Sequence, residues 1–384
     1  MTRTVLIIGA GLAGYNVARE FRKLDQDSRL VIVSHDAADS YSKPMLSNAL
    51  SGNKTAASLV MKHCAQMADE LNADIRARNE VQAIDAEARK AVLADGSSIR
   101  WDDLVLALGA DPIRLPLEGD AADEVLSVND LDDFARWTER LAGARRVVLL
   151  GGGLIGCEFA NDLLARDIRP TVLDIADRPL GRLLPPEAAD FFRRRLESAG
   201  VVFRLEARVA AVDKAGNGYR VRVSDGSTLD ADVVLSAVGL RPRTALAEAA
   251  GCKVARGIVT DRQLATSVPH IYAVGDCAEV DGLNLPFVMP IMHQARALAA
   301  TLTGTSTELR YPVMPVMVKT PACPTVVCPP PAGADGDWRI EQDEESVCAL
   351  FENAAGEPLG FALLGKATSR RQELAARVPG PFAT

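Results

Sequence analysis

Short apolar runs punctuate this chain, and most of them close on glycine or on a polar residue. Val5–Ile8 runs into Gly9, Leu104–Leu108 into Gly109, Val147–Leu150 into Gly151 and Val233–Val238 into Gly239. Leu30–Val33 and Thr171–Asp174 end in polar positions instead. Continuous apolar runs predict buried strands of an α/β sheet, not half-exposed ones. Helical periodicity fills the intervals at Tyr15–Leu24, Leu131–Leu141, Gly156–Ala165, Pro185–Ser198 and Met292–Leu302. The fourth of these carries an acidic-then-basic run that predicts a solvated face.

Hairpin patterns interrupt the plan twice. Glu80–Asp85 and Lys90–Leu93 form a strand pair with Asp95-Gly96 as its turn. Tyr219–Val223 and Ser227–Leu229 form another, turned at Asp225-Gly226. Both stretches begin with a glycine-rich turn and end with an apolar strand plus glycine, an internal duplication of one domain plan. Thr266–Asp276 is a strand with an acid at its carboxyl end, the edge where parallel α/β sheets bind ligands. From residue 310 the character changes to the strands Val313–Lys319, Val347–Glu352 and Leu359–Leu364, with a turn around Asn353–Pro358 and a short polar helix, Ser369–Ala376. The expected division is 1–118 and 245–310 for a first dinucleotide domain, 119–244 for a second, and 311–384 for a small α+β domain.

Composition narrows the class. A net charge of −8 argues against nucleic acid, which needs clustered positive charge. The 384 residues are enough for two or three cores. No apolar run approaches the roughly 18 residues of a membrane span, and Met1-Thr2-Arg3-Thr4 leads directly into a strand, so a cytoplasmic protein without a signal peptide is expected. The seven cysteines have scattered spacing and read as free thiols. Cys323 and Cys328, in a Pro-rich loop, read as small packed side chains, and Cys157 likewise.

The glycine turns carry the chemistry. Gly9-Ala10-Gly11-Leu12-Ala13-Gly14 and Gly151-Gly152-Gly153-Leu154-Ile155-Gly156 each follow a strand and open a helix, the context that makes G-x-G-x-x-G a dinucleotide-binding turn. The first glycine allows the turn, the second admits a pyrophosphate, and the third lets helix and strand pack closely. Two such turns imply two dinucleotides, and the usual pair is a flavin and a nicotinamide.

In order, the first turn, Ala107-Leu108-Gly109, the second turn with Glu158, Ala237–Pro242 and Ile271–Ala278 resemble the FAD- and NAD(P)-dependent reductases of glutathione-reductase type. Tyr41–Ser47 and Met314–Pro324 further resemble the rubredoxin reductases of alkane-degrading bacteria. The resemblance implies two Rossmann-like dinucleotide-binding domains plus a small C-terminal α+β domain. It also implies NADH as hydride donor, FAD as cofactor, rubredoxin as one-electron acceptor and an alkane hydroxylase downstream. The redox cysteine pair and the C-terminal His-Glu pair of the disulfide reductases are missing, which excludes dithiol chemistry. Related dioxygenase reductases carry a lysine where Asn48 stands, so Lys43 would have to supply that charge.

Site residues follow from the same resemblance. Gly9, Gly11, Leu12, Ala13 and Gly14 hold the FAD pyrophosphate, and Val81 offers its backbone to the adenine. The ribose acid is missing from its usual place at His35, so either Asp36 serves or Ser34 and His35 bond the ribose. Asp276, after Gly275, takes the ribityl chain, and the helix following Val288 aims its N-terminus at the flavin pyrimidine. Gly151, Gly153, Leu154, Ile155 and Gly156 hold NADH, with Gly109 and Gly239 as further motif glycines. Asp174 accepts from a ribose 2′-hydroxyl and disfavours NADPH, although Arg178 and Arg182 lie nearby. Glu158, Lys43 and Lys319 are the catalytic candidates beside nicotinamide and flavin. A basic and apolar docking patch is expected around Lys43, Lys319, Lys366, Arg370 and Arg371. A ferredoxin or flavorubredoxin reductase, an NADH oxidase, and a non-catalytic NAD(H) sensor are the rival readings.

Overall fold

A computed structural model of the protein describes residues 3–382; Met1 and Thr2, where the leader reading begins, lie outside them. The chain divides into two compact units. Residues 1–42, 60–111 and 240–311 form the first, and 43–59, 112–239 and 312–384 the second.

The first unit is built on a parallel sheet in the order Ile271–Ala273, Asp103–Leu106, Thr4–Ile8, Arg29–Val33, Ala73–Arg76. Ile8 pairs with Val33 on one side and Leu106 on the other, so these strands end level and place their following turns at one carboxyl edge. The chain fills the side of Arg29–Val33 and Ala73–Arg76 first and then returns to add Asp103–Leu106 and Ile271–Ala273 on the other side, so the strand order reverses at the central strand, the switch where such sheets bind ligands. Leu6, Ile7, Leu30, Ile32 and Phe21 are fully buried. The first fingerprint helix, Leu12–Leu24, packs along the helix Val288–Leu302.

An antiparallel sheet in this unit corrects one expectation. Val81–Asp85 does pair with Lys90–Leu93, but Asp95-Gly96 turns the second strand into a third, Ser98–Arg100. The first pair closes through residues 86–89 instead, where Asp85 Oδ1 accepts the Ala88 N–H at 2.8 Å. A side-chain acceptor at a strand end makes a turn as effectively as Asp-Gly does.

The second unit repeats the parallel plan, in the order Val202–Arg204, Thr171–Leu173, Val147–Leu150, Val233–Ser236. The expected hairpin is present, extended by a further strand, Val209–Ala215. A five-stranded antiparallel sheet follows, in the order Val316–Val318, Thr325–Cys328, Pro358–Gly365, Ser346–Glu352, Asp337–Gln342. Two of these strands escape the sequence pattern. Thr325–Cys328 lies between Pro324 and Pro329 and reads as loop, yet it is a fully buried interior strand that carries Cys328. Asp337–Gln342 is an exposed edge strand, held by Trp338 packing edge-on against Phe351 at 5.4 Å. The polar C-terminal helix resolves into a 3-10 turn, Lys366–Arg370, and a short helix, Arg371–Ala375, which bury Ala367 and Leu374 on the sheet. Among the described residues no helix is long and apolar enough to cross a membrane.

Candidate functional site

The two glycine turns share one local geometry. A Cβ on Gly9 would stand 2.2 Å from Ala107 O, and one on Gly14 would stand 1.9 Å from Gly9 O, whereas nothing lies within 4 Å of Gly11. The second turn matches it: 2.7 Å from Ala237 O at Gly151, 1.9 Å from Gly151 O at Gly156, and open space at Gly153. The outer glycines are thus imposed by backbone contact, and the middle one faces an open cradle. Gly11 and Gly153 cap their helices without any side-chain acceptor, so the amides of Leu12, Ala13, Leu154 and Ile155 lack the usual side-chain cap. A helix N-terminus of this kind suits an anion.

In the first unit, Ser34 is buried and its hydroxyl donates to Asp36 Oδ1 at 2.7 Å, an oxygen that also takes the Ala38 N–H at 2.9 Å. His35 is exposed. Val81 is buried at the start of its strand. Gly109 stands just past the strand Asp103–Leu106. Gly275 has φ +76°, and a Cβ there would stand 2.7 Å from the Ala13 Cβ, so the turn before Asp276 rests against the first fingerprint. Buried Gln294 takes the Gly275 N–H at 2.7 Å and donates to Tyr311 Oη at 2.8 Å. Its helix starts at Val288, four residues earlier than the periodicity indicates, because Met289 and Pro290 fit a first turn.

In the second unit, Asp174 follows the strand Thr171–Leu173. Its carboxylate accepts the Gly152 N–H and, at 2.7 Å, the Ala176 N–H, so it braces the glycine turn itself. Gly239 stands past the strand Val233–Ser236. Cys157 is buried, its thiol donates to Gly152 O at 3.3 Å, and burial pushes its pKa far up. Burial likewise pushes Cys323 and Cys328 up to about 11, leaving neutral thiols at ordinary pH.

The second fingerprint helix, Leu154–Leu163, is buried from Gly156 to Leu163 and still carries three polar residues, Glu158, Asn161 and Asp162. Buried polar groups must be partnered, and buried charge most of all. Two distant segments answer. Glu158, with no exposed surface, accepts the Lys319 N–H at 2.9 Å on Oε1 and the Ser47 hydroxyl at 2.5 Å on Oε2, and its Oε2 lies 2.7 Å from Lys319 Nζ. The Lys319 ammonium also reaches Ser47 Oγ at 2.7 Å and the Pro44 carbonyl. Asn161 accepts the Ala322 N–H at 3.0 Å. Asp162 takes the Leu50 and Ser51 N–H groups at 2.8 and 2.9 Å, and desolvation still holds its carboxyl above the usual range.

Two of the three catalytic candidates, Glu158 and Lys319, therefore form one ion pair. Lys43 opens the 3-10 turn Lys43–Asn48 that supplies Pro44 and Ser47 to that pair. Ser47, Asn161 and Asp162 escape sequence reasoning: nothing local marks a serine or a polar residue of a buried helix as the partner of a segment more than 100 residues away.

The family model for pyridine nucleotide-disulphide oxidoreductases matches residues 3–300. The chain belongs to this family. In this pyridine nucleotide-disulphide oxidoreductase a second model, the rubredoxin binding C-terminal domain, matches residues 308–378. The oxidoreductase is 48% identical over 376 residues to a rubredoxin-NAD(+) reductase of Alcanivorax borkumensis, covering 98% of each chain. It is 46% identical over 377 residues to a protein of the same name from Acinetobacter baylyi, covering 96% of each. Among solved structures, the ferredoxin reductase for the CYP199A2 system of Rhodopseudomonas palustris superimposes with a TM-score of 0.89 at 30% identity, covering 99% of this chain and 96% of that one.

Proposed function

We propose that this chain is an FAD-dependent oxidoreductase that takes hydride from NADH and passes electrons singly to rubredoxin. The match of residues 308–378 to a rubredoxin-binding domain, beside near-full-length likeness to rubredoxin-NAD(+) reductases, carries the reading. Residues 1–118 and 245–310 serve FAD, 119–244 serve NADH, and 311–384 meet the acceptor. The open cradle at Gly11 and the uncapped amides of Leu12 and Ala13 fit the FAD pyrophosphate. Val81, Gly109, Gly275, Asp276 and the helix start at Val288 complete the set, with the ribose taken by Asp36 or by Ser34 and His35. The equivalent cradle at Gly153, with Leu154, Ile155, Asp174 and Gly239, fits NADH. The Asp174 carboxylate disfavours a 2′-phosphate by like charge.

Bound flavin accepts a two-electron hydride and releases single electrons, which is chemistry no side chain here supplies. The protein's part is orientation and charge. Lys319 presents an ammonium whose place is fixed by Glu158, Ser47 and Pro44. Lys43 is the second cation assigned to the reaction site. For docking, Arg371 packs its guanidinium 3.3 Å from Met317 Sδ, and Met317 is 58% exposed, a basic and apolar pairing. Lys366 and Arg370 are instead held by Glu345 and Glu373.

The test is NADH-dependent reduction of rubredoxin and of a 2Fe–2S ferredoxin side by side at one ionic strength. The expected result is rubredoxin turnover well above ferredoxin turnover. Faster ferredoxin turnover would transfer the assignment to a ferredoxin reductase, a reading favoured by the Rhodopseudomonas structure. The alkane hydroxylase setting follows only from the first outcome.

A further inference from the structure

Ser47 is 3% exposed, and its hydroxyl does two things at once. It donates to Glu158 Oε2 at 2.5 Å and lies 2.7 Å from Lys319 Nζ. The ammonium in turn lies 2.7 Å from Glu158 Oε2, which closes a three-membered ring. A hydroxyl has one hydrogen to give, and here it goes to the carboxylate, so the ammonium must donate to the hydroxyl oxygen. One arrangement of hydrogens satisfies the ring.

The serine is itself held. Its turn is clipped to the second fingerprint helix again through Leu50 and Ser51 on Asp162, one helical turn beyond Glu158. The ring members come from three separate stretches of chain, and the fingerprint helix is the element common to all of them. A lysine stem has many rotamers, and a single salt bridge fixes it poorly. Ser47 Oγ and the Pro44 carbonyl add two acceptors to the carboxylate, and the three together define where the ammonium points.

We propose that Ser47 is a positioning residue for hydride transfer, acting by holding the Lys319 ammonium and the Glu158 carboxylate in one geometry. This rests on the assignment of Lys319 and Glu158 to the reaction site.

The holoenzyme is compared with Ser47→Ala, Ser47→Thr and Lys319→Met, using NADH and an artificial acceptor so that electron exit does not limit. Ser47→Ala is expected to lose about tenfold in kcat (about 1.4 kcal/mol), close to the lower bound for a hydrogen bond to a charged group, with KM for NADH changed less than about twofold. Ser47→Thr, which keeps the hydroxyl, recovers most of the loss. Acylation of Lys319, read by mass spectrometry, rises several-fold in Ser47→Ala and not in Ser47→Thr, a readout independent of turnover. A serine that only stabilises the fold would lower the unfolding midpoint and leave kcat and lysine reactivity alone. The proposal is overturned if Ser47→Ala keeps kcat within about twofold, or if Ser47→Thr is as slow as Ser47→Ala. Unimpaired Lys319→Met would instead overturn the assignment of the pair to the reaction site. Should Ser47→Ala fail to fold, Ser47→Cys is judged by the same criteria.

Discussion

Glu158 holds Lys319 at both ends: one carboxylate oxygen takes the lysine backbone N–H at 2.9 Å and the other faces its ammonium at 2.7 Å. The acid has no exposed surface, and the lysine side chain is 26% exposed. Opening a buried pair by deleting one partner leaves an uncompensated charge, which is far costlier than removing both.

Lys319→Met should therefore destabilise the protein by about 3 kcal/mol, measured by urea denaturation of the holoenzyme. The double variant Lys319→Met with Glu158→Gln should recover much of that loss. Equal instability of the single and double variants would show that Glu158 is not left as a buried charge.

The glycine turns separate folding from binding. Gly9→Ala and Gly156→Ala push a methyl into backbone at 2.2 and 1.9 Å and should lower the unfolding midpoint sharply or prevent folding. Gly11→Ala and Gly153→Ala meet nothing within 4 Å and should fold with near-native midpoints. Gly11→Ala should then lose flavin affinity, and Gly153→Ala should raise the KM for NADH by about tenfold or more, because the methyl takes up the phosphate's space. Flavin content and steady-state kinetics check both.

Asp174 has two jobs in this structure, since its carboxylate braces the Gly152 and Ala176 amides. Asp174→Ala should raise the KM for NADH and narrow the preference over NADPH by about tenfold. Asp174→Asn should relax the preference less, since it removes the charge but keeps an acceptor for one amide. An unchanged NADH/NADPH ratio of kcat/KM in both variants would remove Asp174 from cofactor selection.

Asp232 supplies an acid-sensitive clasp. The Arg146 guanidinium, bonded at 2.6 and 3.2 Å, holds its pKa down to about 2, helped by the Arg145 and Arg146 amides. A depressed carboxylate stabilises the fold above its unfolded pKa near 4 and loses that contribution as pH falls toward 2. Asp232→Asn should cost about 1–2 kcal/mol at pH 7, a figure discounted for partial solvation. The stability difference from the parent should shrink between pH 4 and 2. Denaturation midpoints measured across that range check the slope.

The parallel strands, the fingerprint helices and the cofactor turns were legible because each is written in contiguous residues. A strand followed by G-x-G-x-x-G needs only local sterics to form its cradle. The errors were local too. Asp95-Gly96 is a good turn, but Asp85 makes the competing one, and the flanking prolines disguise the buried strand Thr325–Cys328. The edge strand Asp337–Gln342 has too few apolar positions to announce itself.

By itself the sequence determined the fold class and the two dinucleotide turns, because turn geometry and helix starts depend on neighbours a few residues away, and the family resemblance made Glu158 and Lys319 candidates. Only the tertiary structure decided that Lys319 and Glu158 are partners, that Ser47 joins them, and that Asp162 anchors the serine's turn. Those contacts span 111, 112 and 161 residues, and they form because a buried helix with three polar side chains must draw donors from wherever the fold brings them.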